Sequence, residues 1–131
     1  MLIMLTIGAF TVAQGIASAQ TDGQKRMDPE DYAEKETERL EASLGLEGWQ
    51  TFYVDSILRN NYVAMQEDID EMRAAKVDNY NLYLSVQDKW LEKTDSAFMK
   101  YFTPEQWSRY LKSGAARQQK ARAKRAAKSG K

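Results

Sequence analysis

The chain has 131 residues, enough for one domain, with nineteen Lys/Arg balanced by nineteen Asp/Glu and neither His nor Cys. Without Cys there are no disulfides, no lipid-anchored cysteine and no thiol chemistry; without His, catalytic triads, imidazole zinc sites and His proton shuttles are excluded. The charge is unevenly placed, because residues 112–131 hold eight Lys/Arg and no acid whereas residues 20–111 hold eleven Lys/Arg against nineteen Asp/Glu. An acidic body therefore carries a basic tail.

Residues 1–19 carry no charge, Leu2 to Ile16 is mostly apolar, and Ala17-Ser18-Ala19 has the small-x-small pattern of a signal-peptidase site. This reads as a secretory signal peptide and predicts a periplasmic protein. No Lys or Arg precedes the apolar run, and a buried helix or uncleaved anchor is the plainer alternative. Thr6, Gly8, Thr11, Gln14 and Gly15 interrupt the run, which is short for a membrane span. Residues 20–27 are polar and read as a flexible leader.

Asp28 followed by Pro29, Glu30 and Asp31 is a helix start: an N-cap, a proline at the first helical position, and acids facing the positive end of the helix dipole. This helix should run to about Ser43, bury a narrow stripe of Tyr32, Ala33, Leu40 and Leu44, and end at Gly45. A second helix is predicted from Glu47 to about Ala75. Its residues Val54, Leu58, Tyr62, Met65, Ile69 and Met72 form a seam of nearly heptad spacing. Asp78 or Asn79 should cap a third helix running to about Tyr101, with Tyr83, Gln87, Trp90, Thr94, Phe98 and Tyr101 at helical steps.

The fourth start is the clearest. Thr103 is the cap, Pro104 follows, and Gln106 is placed to close a capping box. That helix should reach about Ser113, with Gly114 beyond it. Residues 28–113 thus read as one helical domain and 114–131 as a basic Ala/Lys/Arg-rich tail. The tail has good helix formers but no apolar anchor larger than Ala, so it is expected to fray or to be helical only when bound. No segment reads as a strand. The expected fold is all-α, an elongated bundle of about four helices with a long antiparallel hairpin.

Paired carboxylates are the only simple acid–base design left, and Glu67, Asp68, Asp70 and Glu71 read as a solvated helix face instead. No enzyme, cofactor or metal site is expected. Trp49, Phe52, Tyr53, Tyr62, Tyr80, Tyr83, Trp90, Phe98, Tyr101, Phe102, Trp107 and Tyr110 should mostly be core, with some of them lining an adaptable surface alongside Met65, Met72 and Met99. The basic tail reads as solvated and disordered, or as attracted to anionic envelope surfaces or acidic protein segments; export argues against a nucleic-acid arm.

Leu46-Glu47-Gly48-Trp49-Gln50 and Phe102-Thr103-Pro104-Glu105-Gln106 lie 56 residues apart. Together with the exported helical body, they resemble the paired Leu-Thr-x-x-Gln motifs of the LTxxQ family of periplasmic helical proteins, the Spy and CpxP-like group. Glu47 stands where the motif has Thr, and Phe102 where it has Leu. The resemblance implies a homodimer of antiparallel hairpins forming a cradle whose concave face binds unfolded proteins without ATP. Some relatives inhibit envelope-stress sensor kinases and others bind metals. It gives Leu46, Gln50, Phe102, Thr103 and Gln106 a structural role. The family's cradle is basic on its concave side whereas this body is acidic, which leaves Arg59, Arg73 and Lys76 as a local basic patch. With Met65 and Met72 they form the expected client or partner surface.

Two functions are expected on these grounds. One is an ATP-independent periplasmic holdase or envelope-stress adaptor binding unfolded or partner proteins. The other is a non-enzymatic structural protein of the envelope that uses its basic tail on anionic surfaces.

Overall fold

The computed structural model describes residues 28–129; the expected signal peptide (1–19) and leader (20–27) lie outside the described residues. The fold is all-α, and the described residues contain no strand. The elements are α1 (Pro29–Leu44), α2 (Gly48–Ala74), α3 (Tyr80–Tyr101), α4 (Pro104–Tyr110), a widened π-type turn (Leu111–Ala115) and α5 (Ala116–Ser129). The last three run on as one arm kinked at Gly114, where φ is 125°.

Each start is set by a local signal. Asp28 Oδ1 accepts from Glu30 N at 2.8 Å, and Asn79 Oδ1 accepts from Asn81 N at 2.9 Å. Thr103 Oγ1 accepts from Gln106 N at 3.1 Å. The ends are equally local. Gly45 closes α1 in the left-handed region at φ 65°. Lys76 closes α2 at φ 61°, with Val77 N donating to Met72 O at 2.9 Å and Lys76 N to Arg73 O at 2.9 Å. A residue with a Cβ is strained there by roughly 1–2 kcal/mol, so Lys76 is first of all the hinge of the α2–α3 hairpin.

α1, α2, α3 and the α4–α5 arm alternate in direction. At 1.5 Å per residue α2 is about 40 Å long and α1 about 24 Å. Glu30, near the start of α1, meets Arg59 on α2. Beyond that point α1 no longer covers the α2–α3 hairpin, and α5 runs along its α3 side. The hairpin's axis is fixed by Asn61 Nδ2 donating to Thr94 Oγ1 at 2.9 Å, both side chains being buried, and by Trp90 Nε1 donating to Asp68 Oδ2 at 2.8 Å.

The core is small and lies at the Gly45 end. Ala33, Leu40 and Leu44 from α1 meet Leu46, Val54 and Leu58, and Phe98 with Phe102 closes the layer. Of the α2 seam, Val54, Leu58 and Ile69 are buried, while Tyr62, Met65 and Met72 are half-buried. Tyr32, expected in the α1 stripe, is exposed and rests edge-on against Tyr62 at 4.8 Å.

Residues 116–129 form a helix where fraying was expected. The anchor is charge, not apolar contact: Arg125 donates to both Asp88 carboxylate oxygens at 2.7 and 2.9 Å, and Arg122 Nη2 to Asp95 Oδ2 at 2.7 Å. α5 therefore lies antiparallel to α3.

Thr103→Ala removes a cap whose hydroxyl satisfies one orphan N–H, and should lower the unfolding free energy by about 1 kcal/mol in urea titration.

Candidate functional site

The two motif glutamines meet although they are 56 residues apart. Gln50 Nε2 donates to Gln106 Oε1 at 2.7 Å, and Gln106 Nε2 donates to Gln50 Oε1 at 3.2 Å. Each Oε1 also accepts from the backbone of its own helix start, Glu47 N in one case and Thr103 N in the other, both at 2.9 Å. Each Nε2 also donates to the opposite corner: Gln50 to Tyr101 O at 2.9 Å, Gln106 to Gly45 O at 3.3 Å. The result is a clasp with near two-fold symmetry. Gln50 is 2% and Gln106 8% exposed, so burying these amides is favourable only because every lone pair and N–H is used.

Around the clasp the rings divide into two groups. The inner group is Phe98, Phe102, Trp107 and Tyr110, with successive centroids 5.1 to 6.4 Å apart. The outer group is Trp49, Phe52, Tyr53 and Tyr101. Tyr53 stacks on Tyr101 at 4.6 Å and touches Phe52 at 5.5 Å and Trp49 at 6.4 Å, edge to face. Trp49 is 54%, Phe52 66% and Tyr53 41% exposed. These three were expected mainly in the core, and so was Tyr80, which is also exposed. The first turn of α2 carries apolar residues on two faces, and α1 is narrow enough to cover only one.

The structure does not bring the expected basic surface together. Arg59 bridges Glu30 (3.3 Å) and Asp55 (3.1 Å), whereas Arg73 and Lys76 sit at the far end of α2. Fourteen residues of helix put about 20 Å between Arg59 and Arg73. Met65 and Met72 lie on the seam between them, half-buried. Leu46, Gln50, Phe102 and Gln106 are buried at the corner, with Thr103 on its rim.

A second cluster joins the kinked arm to α3. Asp95 accepts from Tyr110 Oη at 2.5 Å, from Gln119 Nε2 at 2.9 Å and from Arg122 Nη2 at 2.7 Å. The Arg122 side chain is 5% exposed; its Nε makes no hydrogen bond and lies 3.7 Å from Glu92. Burial, reinforced by the Asp95 carboxylate, pushes the Tyr110 hydroxyl far above its ordinary range, and burial does the same for Tyr62. Both phenols therefore stay neutral, and Tyr110 stays a donor. At the hairpin, the Trp90 indole and then Lys89 hold the Asp68 carboxyl below the usual carboxylate range. Nothing in the residue pattern marks this second cluster, because Asp95 reads as one more acid on a solvated face.

The chemistry available at the corner is that of contact. The outer rings offer polarisable apolar area with little side-chain entropy to lose, and the Glu47 carboxylate, held by Trp49 Nε1 at 3.1 Å, gives it a polar edge. Among the described residues no group of His, Cys, Asp or Glu is arranged to hold a metal ion. No helix among them is long and apolar enough to cross a membrane. The chain matches no family model, no curated protein and no solved structure.

Asp95→Ala leaves Arg122 buried without its carboxylate, and stripping one partner from a buried ion pair costs about 3–5 kcal/mol. Amide exchange across residues 116–129 should then quicken by roughly 100-fold or more, while Val54, Leu58 and Phe98 keep their protection.

Proposed function

We propose that the protein is an exported, ATP-independent holdase or envelope-stress adaptor that takes up exposed apolar segments of unfolded or partner proteins. The supporting observation is the outer aromatic group at the corner: Trp49, Phe52 and Tyr53 are exposed together on one helix start, with Tyr53 touching both of the others. Soluble monomers seldom leave contiguous large rings in water, and such patches generally mark binding surfaces. The thin core bears on the same reading. A bundle with so few buried apolar residues keeps much of its apolar surface at the periphery, where it is available to a client.

The Spy and CpxP-like resemblance supports the reading from the sequence side, through the paired motifs and the expected export signal. The basis differs from the family's expected basic concave face. Here the client surface is aromatic with acidic flanks, which favours clients whose apolar stretches are bordered by Lys or Arg.

The test is suppression of aggregation of a reduced or heated client by equimolar or less protein. The Trp49→Ala/Phe52→Ala variant should need several-fold more protein for the same suppression, with unchanged helical circular dichroism. Absence of suppression by the unaltered protein at several-fold excess rules the holdase out.

A further inference from the structure

α5 uses only one side of its charge. Arg122 and Arg125 face α3, whereas Arg117, Lys120, Lys124 and Lys128 are exposed and form no ion pair among the described residues. At about 100° per residue these four fall within roughly 80° of arc, on the side opposite Arg122. α1 carries the reverse pattern. Glu30, Glu34, Glu38 and Glu41 are all exposed and also fall within roughly 80° of arc. Glu34 and Glu38 have no ion-pair partner among the described residues; Glu30 and Glu41 each engage α2 through one carboxylate oxygen, to Arg59 and Thr51.

The spacings match when the helices run in opposite directions. From Glu41 back to Glu30 the steps are three, four and four residues; from Arg117 on to Lys128 they are also three, four and four. Each stripe is about 16 Å long. Antiparallel docking sets Arg117 against Glu41, Lys120 against Glu38, Lys124 against Glu34 and Lys128 against Glu30. Within one copy the stripes cannot meet. The side of α1 that faces its own α5 is the one bearing Tyr32, Glu36 and Arg39, which line a cavity with Gln118 and Arg122. The acidic stripe is on the other flank, toward α2.

We infer that the protein associates with a second copy of itself through these stripes, α5 of one copy lying antiparallel on α1 of the next. Two observations select this occupant. The first is the register, which an anionic surface of no fixed spacing would not require. The second is the like-charge repetition at i, i+4 in both stripes, which destabilises a solitary helix and is relieved by an opposite stripe of equal length. The contact is made of exposed ion pairs, each weak, so it is strongly screened by salt. It is independent of client binding at the aromatic corner.

The experiment is light scattering on the purified full chain across ionic strength, with two charge-swapped variants. Lys120→Glu/Lys124→Glu/Lys128→Glu reverses the basic stripe, and Glu34→Lys/Glu38→Lys/Glu41→Lys reverses the acidic one. The unaltered chain should exceed its 15.0 kDa monomer mass at low salt and fall toward it as salt is raised. Each variant alone should remain monomeric, and an equimolar mixture of the two should associate again, with helical circular dichroism unchanged throughout. A monomer at low salt, association untouched by either swap, or no recovery on mixing would overturn the inference. So would retention of the chain on anionic phosphatidylserine vesicles without self-association, which would give the basic stripe to lipid.

Discussion

Gln50 and Gln106 share their hydrogen bonds so completely that neither buried amide is satisfied without the other. An N-cap normally closes on its own helix. Here each glutamine caps its own helix start, bonds its counterpart and takes a carbonyl from the opposite corner, so two local signals become one long-range contact. Because a buried amide left unpaired costs more than a paired one contributes, the arrangement tolerates little drift. It fixes the angle at which α1 turns into α2 and α3 into α4. It also fixes which rings turn inward. Phe98 and Phe102 fill the small core under the clasp, while Trp49, Phe52 and Tyr53 stand outside it.

Away from that corner the molecule is held by polar side-chain contacts more than by apolar burial. The hairpin is joined by Asn61 with Thr94 and by Trp90 with Asp68; α5 is joined by Arg122 and Arg125 to Asp95 and Asp88. Arginine suits this task because its planar fork spans the gap between two helices that are not in close apolar contact. The result is a graded structure, with one tightly packed end and arms of lower local stability. That distribution suits the client-binding role proposed above.

The helices were legible in the sequence because their starts rest on neighbours: Asp28 with Pro29, Thr103 with Pro104 and Gln106, Gly45 after Leu44. All-α architecture followed from periodicity alone. The pairing of Gln50 with Gln106 could be anticipated only as a repeated motif, since nothing in either stretch says that the side chains touch. The exposed rings were misplaced because a hydrophobic count does not reveal how narrow α1 is. The docked tail was missed for a related reason: without an apolar anchor it looked unsupported, and the carboxylates that hold it are distributed along α3 among ordinary surface acids. The basic cluster of Arg59, Arg73 and Lys76 dispersed because neighbours in sequence along one helix are far apart once the helix is about 40 Å long.

The most direct test of this account is a double-mutant cycle on the clasp, Gln50→Ala and Gln106→Ala, read as urea unfolding free energies. If the two amides act as one unit, the double variant should lose little more than either single variant, with a coupling energy of about 1–3 kcal/mol. Additive losses, with coupling near zero, would mean that each glutamine serves only its own helix start and that the bundle does not depend on their contact.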